Sequence, residues 1–306
     1  MLTSSTGELR LPVFFCARSA SAILREVSKP SIAIVGPGAL GSSLALALHQ
    51  QGFRVVELIA RDASNTAARK LARKINAKLS PIEKAELKAD IVWICVPDDA
   101  IAPLASSLRT GKWKGKTVLH ASGALTADAL HPLKSRGAAI ASAHPMMSFV
   151  RTAQTGFKDV WFALEGDRRA VTAARNLISA LGAKSFTISA DLKPLYHLFG
   201  GFLSPFLLTV LTAAEHLGRE AGLPSRQLPQ IMRPIVMRTL ENYFAKGAAA
   251  SFSGPLLRGD VETIRKHVRA VRKLPESELY RALVREATRT LPVKRAKEIL
   301  AILELD

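Results

Sequence analysis

The chain has 306 residues, 48% of them hydrophobic, which is enough for two domains with separate cores and too much for one small binding module. Its 43 Lys and Arg against 25 Asp and Glu give a net charge of +18, a field that attracts anions such as nucleotides without naming one. Cys16 and Cys95 lie far apart, and Cys95 falls in an apolar run that reads as a buried strand. Neither a disulfide framework nor a metal site is therefore implied, and a reducing cytoplasm is the expected location.

At the N-terminus, the apolar run 11–17 is too short for a signal-peptide core. No uninterrupted apolar run approaches the roughly 20 residues of a membrane span, so no membrane partner is expected. Residues 1–30, with Arg10, Arg18 and Arg25 offset by Glu8 and Glu26, read as a flexible extension or a misplaced start. The remaining basic residues are dispersed without interleaved aromatics, which argues against nucleic acid as a partner.

From 31 to 189, short β-branched runs alternate with helical patterns, the mark of βαβ units and a mostly parallel sheet. The spacing predicts strands over 31–35, 54–60, 90–96, 117–120, 138–143, 160–165 and 184–188. Helices are expected over 39–51, 65–76, 98–108, 127–135 and 168–181.

Gly36-Pro37-Gly38-Ala39-Leu40-Gly41 closes the first strand and opens the first helix, which places a GxGxxG pattern in the setting that gives it meaning. The first glycine permits a tight turn, the second lets backbone N–H groups approach a pyrophosphate, and the third lets helix and strand pack closely. A glycine-rich turn without a ligand is the plainer alternative. About 20 positions after the last glycine, where NAD-binding domains carry an acid for the ribose, stands Arg61, whose guanidinium suits a 2′-phosphate. NADP is accordingly expected over NAD, although the adjacent Asp62 could accept ribose hydroxyls, and Arg61 could simply be solvated.

Strand 90–96 ends in Val96 and Pro97, at the edge where ligands of open α/β sheets bind, so both are expected to contact the cofactor. Asp98 or Asp99 is placed to cap the next helix. The following strand ends carry His120-Ala121-Ser122-Gly123 and His144-Pro145, two imidazoles that either enter one crevice or bond loop backbone.

After Ala190 the strand signal stops and helices punctuated by Pro and Gly follow, which sets the domain boundary there: 31–189 for a Rossmann-type domain and 190–306 for an all-α domain. Helix 191–218 is apolar on most sides. On it Lys193, His197, Gly200, Gly201 and Ser204 share one face, to line a ligand pocket or admit a neighbouring helix. Pro205 removes a backbone hydrogen bond and predicts a kink. Further on, Arg258 sits in a turn before a helix that Asp260 is placed to cap, suited to a carboxylate or phosphate ligand or to a structural ion pair. The apolar surplus of these helices, as in Phe202-Leu203-Ser204-Pro205-Phe206-Leu207-Leu208, predicts a homodimer through the helical domain, the plainer alternative being that they pack only against the Rossmann sheet of the same chain.

Taken in order, GPGALG, CVPDDAI, HASGAL, AHPMMSF, the helix from Lys193 to Ser204 and GPLLRGD followed by His267 resemble Rossmann-like proteins with a DUF2520 C-terminal domain. That group lies among two-domain reductases such as pyrroline-5-carboxylate reductase, ketopantoate reductase and the β-hydroxyacid dehydrogenases. The resemblance begins at Ser31. It implies an NADP-binding Rossmann domain and a helical domain that often forms a homodimer. In β-hydroxyacid dehydrogenases a Lys and an Asn four residues later sit over the nicotinamide, a spacing matched by Lys193 and His197. Members commonly read Ser-Asn where this chain has Ser204-Pro205, a departure at a substrate-binding amide. The first domain also resembles F420-dependent NADP reductases, although no separate F420 motif is present.

The expected function is that of an NADP-dependent oxidoreductase passing hydride between nicotinamide and a small carbonyl, imine or hydroxy acid at the domain interface. Lys193 or His197 would move the proton. Ser122 and His144 would complete the catalytic set, and His120, Ser204 and Arg258 are substrate candidates. The rival from another class is a non-catalytic NADP-binding sensor or scaffold.

Overall fold

The computed structural model describes residues 29–108, 111–150 and 156–304, so Cys16 and nearly all of the expected N-terminal extension lie outside the described residues. The chain divides into two compact units, one ending at Tyr196 and one beginning at His197.

In chain order the first unit contains β1 (Ile32–Val35), α1 (Ala39–Gln50), β2 (Val55–Ala60), α2 (Thr66–Lys74), β3 (Lys78–Pro81), β4 (Ile91–Ile94) and α3 (Asp98–Ser107). There follow β5 (Thr117–His120), α4 (His131–Lys134), β6 (Ala139–Pro145), β7 (Trp161–Gly166), α5 (Arg168–Ala180), β8 (Lys184–Thr187) and the start of α6 (Lys193–Gly201). The strands form one eight-stranded sheet in the order β3-β2-β1-β4-β5-β6-β7-β8, parallel throughout except where β7 pairs antiparallel with β6. Strand β3 was not predicted from sequence. Only Ser80 of its four residues is buried, and an edge strand lacking an apolar alternation gives no period-2 signal.

Side chains alternate across the sheet and divide the core in two. Ile32, Ile34, Trp93, Leu119, Ala143 and Phe162 pack with α1 and α5, whereas Ala33, Val35, Val92, Ile94, Val118 and Ile140 pack with α3 and α4. The second face turns polar as the sheet passes β5. Register pairing places His120 beside Ser142 and Ser142 beside Glu165 in one row, and His144, Ala163 and Phe186 in the next.

The second unit is helical. After α6 come one π-helical turn at Phe202–Phe206, then α7 (Leu207–Glu220), α8 (Leu228–Ser251), α9 (Pro255–Arg258), α10 (Val261–Val271), α11 (Ser277–Thr290) and α12 (Ala296–Glu304). The expected disturbance at Pro205 takes the form of this widened turn, which accommodates a residue without an N–H. Val261, Ile264 and Val268 of α10 recur at helical spacing and pack with Val284, Ile299, Ile302 and Leu303 from α11 and α12. Asp260 caps α10 as expected, its carboxylate accepting from the Thr263 N–H at 3.1 Å.

Helices α7 and α8 differ from that small core. No residue of α7 and only Leu228 of α8 is buried. Judged by mean hydropathy instead of by unbroken apolar runs, the helical stretch Ala190–Glu220 has the length and composition of a membrane span: within its 31 residues lies an 18-residue window with a mean hydropathy of 1.5. The sequence reading missed it because Tyr196, His197 and Ser204 interrupt the run. Length and composition alone do not separate a span from a helix that packs in an interface.

Candidate functional site

Strand order reverses between β1 and β4, and the carboxyl ends of these two neighbours form the crevice where open α/β sheets take ligands. The glycine turn fills it. Gly36 has φ +86°, and a Cβ there would stand 2.7 Å from the Cys95 carbonyl oxygen and 2.9 Å from Val96 Cγ1. At Gly41 a Cβ would fall 2.2 Å from the Gly36 carbonyl oxygen. Only glycine lets β1, β4 and α1 close to this distance. Gly38 differs, since a Cβ would meet nothing within 4 Å. The open cradle lies at the N-terminus of a twelve-residue helix with neither a side-chain cap nor an acidic residue in its first turn. Such an end offers unpaired N–H groups and partial positive charge to an anion. The residues present therefore fit a pyrophosphate.

Arg61 follows β2 directly and is exposed. The neighbouring Asp62 is committed to its own turn: the Ser64 side chain, and after it the Ser64 N–H at 2.7 Å, hold its carboxyl below the usual range. Val96 is half-buried beneath the glycine turn and Pro97 is exposed beside it. Asp98 does not cap α3 as expected. Pro97 is the N-cap and Asp98 the first helical residue, and its carboxylate takes the Ser122 hydroxyl at 2.8 Å.

Ser122 organises the end of β5. Its hydroxyl also accepts from the Ala124 and Leu125 N–H groups, its N–H donates to His120 Nδ1 at 3.1 Å, and its carbonyl accepts from Ser142 Oγ at 2.9 Å. His120 is fully buried, with Nδ1 taken by Ser122 and Nε2 donating to the Thr126 carbonyl at 3.0 Å. Burial pushes its pKa down to about 4, and nearby Lys193 adds to the shift, so the ring is neutral. Both nitrogens of His120 hold the loop, so neither is presented to a substrate.

Lys193 opens α6 and is wholly buried. Its Nζ donates to Ser142 Oγ at 2.7 Å and to the Ser122 carbonyl at 3.3 Å. Burial lowers its pKa, while the carboxylates of Glu165 and Asp98 oppose the shift. A hydroxyl and a carbonyl at the ends of β5 and β6 thus fix this amine in a defined position, the geometry that a proton-transferring group requires.

His144, at the end of β6, shares a hydrogen bond of 2.8 Å between Nδ1 and the Tyr196 hydroxyl, and the two rings meet edge to face. Tyr196 is buried and touches Phe186, which in turn touches the half-exposed Trp161. Sequence reasoning missed Ser142 and Tyr196. Strand alternation puts Ser142 on the face of His144, and the helical i, i+3 relation puts Tyr196 on that of Lys193, so both were within reach of period counting.

Of the other expected residues, His197 is exposed on α6, so the buried pair on this helix is Lys193 with Tyr196 and not Lys193 with His197. Ser204 is half-buried inside the π-turn, where the wider winding breaks the helical period that aligned it with Lys193. Arg258 is exposed in the second unit, at the end of α9.

The family model for a Rossmann-like domain matches residues 18–145, beginning before Ser31, and that of the domain of unknown function DUF2520 matches residues 160–287. A Rossmann-like domain therefore opens the chain. A DUF2520 domain follows it, and the matched segment takes in β7, α5 and β8 as well as helices. No curated protein matches the sequence. Among solved structures, the chain is similar to a Bacteroides fragilis protein to which NADP oxidoreductase activity is ascribed, at 22% identity and TM-score 0.71 over 89% of this chain and 98% of that one. It is similar also to a reductive aminase from Aspergillus terreus in complex with NADPH and ethyl-5-oxohexanoate, at 18% identity and TM-score 0.61 over 89% and 99% of the two chains. An imine reductase from Myxococcus stipitatus in complex with NADP+ matches at 17% identity and TM-score 0.62 over 90% and 100%. At these identities the likeness establishes the fold.

Proposed function

We propose that the protein is an NADP(H)-dependent oxidoreductase acting on a small carbonyl, imine or hydroxy acid. The observation that carries this reading is the glycine turn, closed at Gly36 and Gly41 and open at Gly38, set against the uncapped N-terminus of α1 at the switch point of the sheet. Gly36 to Gly41 would hold the pyrophosphate, Val96 and Pro97 would flank it, and Arg61 would pair with the 2′-phosphate. Bound NADPH would supply the hydride. Two of the similar structures hold NADPH or NADP+, and the reductive aminase also holds a keto ester, which is in keeping with a carbonyl or imine substrate.

On the protein side, Lys193 holds the proton for the developing alkoxide or amine, and Ser142 and the Ser122 carbonyl orient its Nζ. His144 orients the substrate from the neighbouring strand end. His197, Ser204 and Arg258 remain candidates on the helical unit. Complete burial of Lys193 is the observation that favours the second reading, a non-catalytic NADP-binding sensor in which this ammonium only joins β5, β6 and α6.

The two readings separate on a panel of carbonyl and imine substrates. The oxidoreductase consumes NADPH with at least one, and Lys193→Met, folded by circular dichroism, lowers its kcat by about 100-fold or more. Tight NADPH binding with no consumption across the panel would establish the sensor.

We also infer a homodimer through the helical unit. Phe199, Phe202, Leu203, Phe206, Ile235 and Phe244 are all large, apolar and exposed on α6 to α8, and a second copy would cover them.

A further inference from the structure

Tyr196 has no role in the reading above, yet it is buried with a polar atom directed at a candidate site residue. Its hydroxyl and His144 Nδ1 are 2.8 Å apart, and the two rings stand at 89° with centroids 5.5 Å apart. Phe186 closes on Tyr196 from the next row of the sheet, with centroids 6.0 Å apart. The phenol is thus held on two sides by rings, and its hydroxyl has one hydrogen-bond partner among the described residues.

We propose that Tyr196 is a positioning residue that fixes neutral His144 as the Nε2–H tautomer, so that the imidazole presents a donor and not an acceptor to the substrate. The direction of the shared hydrogen bond decides this. If His144 carried its proton on Nδ1, the ring would donate to the phenol oxygen and the buried O–H would be left without an acceptor, which costs about 1–3 kcal/mol. With the phenol donating, both groups are satisfied and the ring proton resides on Nε2. Burial raises the Tyr196 pKa and keeps the phenol protonated at neutral pH, in agreement with its role as donor. A ring with its proton on Nε2 can donate to a carbonyl oxygen as negative charge develops there, and it stays neutral while doing so.

The inference rests on His144 facing the substrate, but its tautomer can be read without any reaction. Nitrogen-15 spectra of histidine-labelled protein at pH 7 would be recorded without cofactor, with the His144 signals assigned by their loss in His144→Gln. We expect a pyridine-type Nδ1 and a pyrrole-type Nε2 for His144, and loss of that pattern to a tautomer mixture in Tyr196→Phe. A pyrrole-type Nδ1, a doubly protonated ring, or a pattern unchanged in Tyr196→Phe would overturn the proposal. NADPH consumption by the wild type, measured separately, tests the oxidoreductase reading. A correct tautomer with no turnover would leave the Tyr196 assignment standing while removing the reaction it serves.

Discussion

His120 shows how far a residue's surroundings determine its chemistry. Two imidazoles at neighbouring strand ends are legible in the sequence. Their division of labour is not, because it depends on the Ser122 N–H and the Thr126 carbonyl, which the loop folds back onto one ring. Burial depresses the His120 pKa from 6.5 to about 4, so as pH falls the unfolded chain takes up this proton first. Stability should therefore decline as pH drops from about 6.5 to about 4 and then level off in this respect, a loss of about 3 kcal/mol from this group. Urea denaturation across that range should show the slope in the wild type and a shallower one in His120→Gln, whose amide can replace both hydrogen bonds without titrating. Equal slopes would contradict the assignment. The glycines can be separated by the same logic of space. Gly36→Ala puts a Cβ onto the Cys95 carbonyl and should disrupt the turn, whereas Gly38→Ala meets no protein atom. We expect Gly38→Ala to keep the wild-type melting temperature and yet bind NADPH at least tenfold more weakly, because the new methyl would stand where the pyrophosphate approaches. Unchanged affinity would show that the cradle takes no phosphate.

Among the elements, the strands with buried faces were legible because alternation is enforced by two cores, and β3 escaped because an edge strand needs no such pattern. The helix signals at α10 were legible as well, from Asp260 before an apolar series at helical spacing. Replacing this cap in Asp260→Ala should destabilise the small helical core by about 1 kcal/mol, measurable by chemical denaturation. No measurable change would mean that α10 is held by packing alone. In α6 the sequence gives the right helix but the wrong partner for Lys193. Counting i+4 leads to His197, whereas the sheet rows beneath the helix select i+3 and bury Tyr196 over His144. That choice is set by the register of β6 and β7, a long-range pairing that no local count contains.

For the whole molecule, large apolar side chains stand exposed along α6 to α8, and exposed apolar patches commonly mark interaction surfaces. A homodimer burying about 2,000 Å² or more would cover them. Light scattering at micromolar concentration should give twice the 33.0 kDa chain mass, and a monomer at low and moderate salt alike would reject the dimer. Should the protein instead partition with detergent or vesicles, the Ala190–Glu220 helix would be the segment responsible. The central claim, that the switch-point crevice holds NADP(H), is tested most directly by isothermal titration of the wild type and of Arg61→Ala with NADPH and NADH. The wild type should bind NADPH about tenfold or more tighter than NADH, and Arg61→Ala should lose most of that difference, as expected for one guanidinium–phosphate pair. Failure to bind either nucleotide, NADH binding as tight as NADPH, or full discrimination in Arg61→Ala would contradict the account.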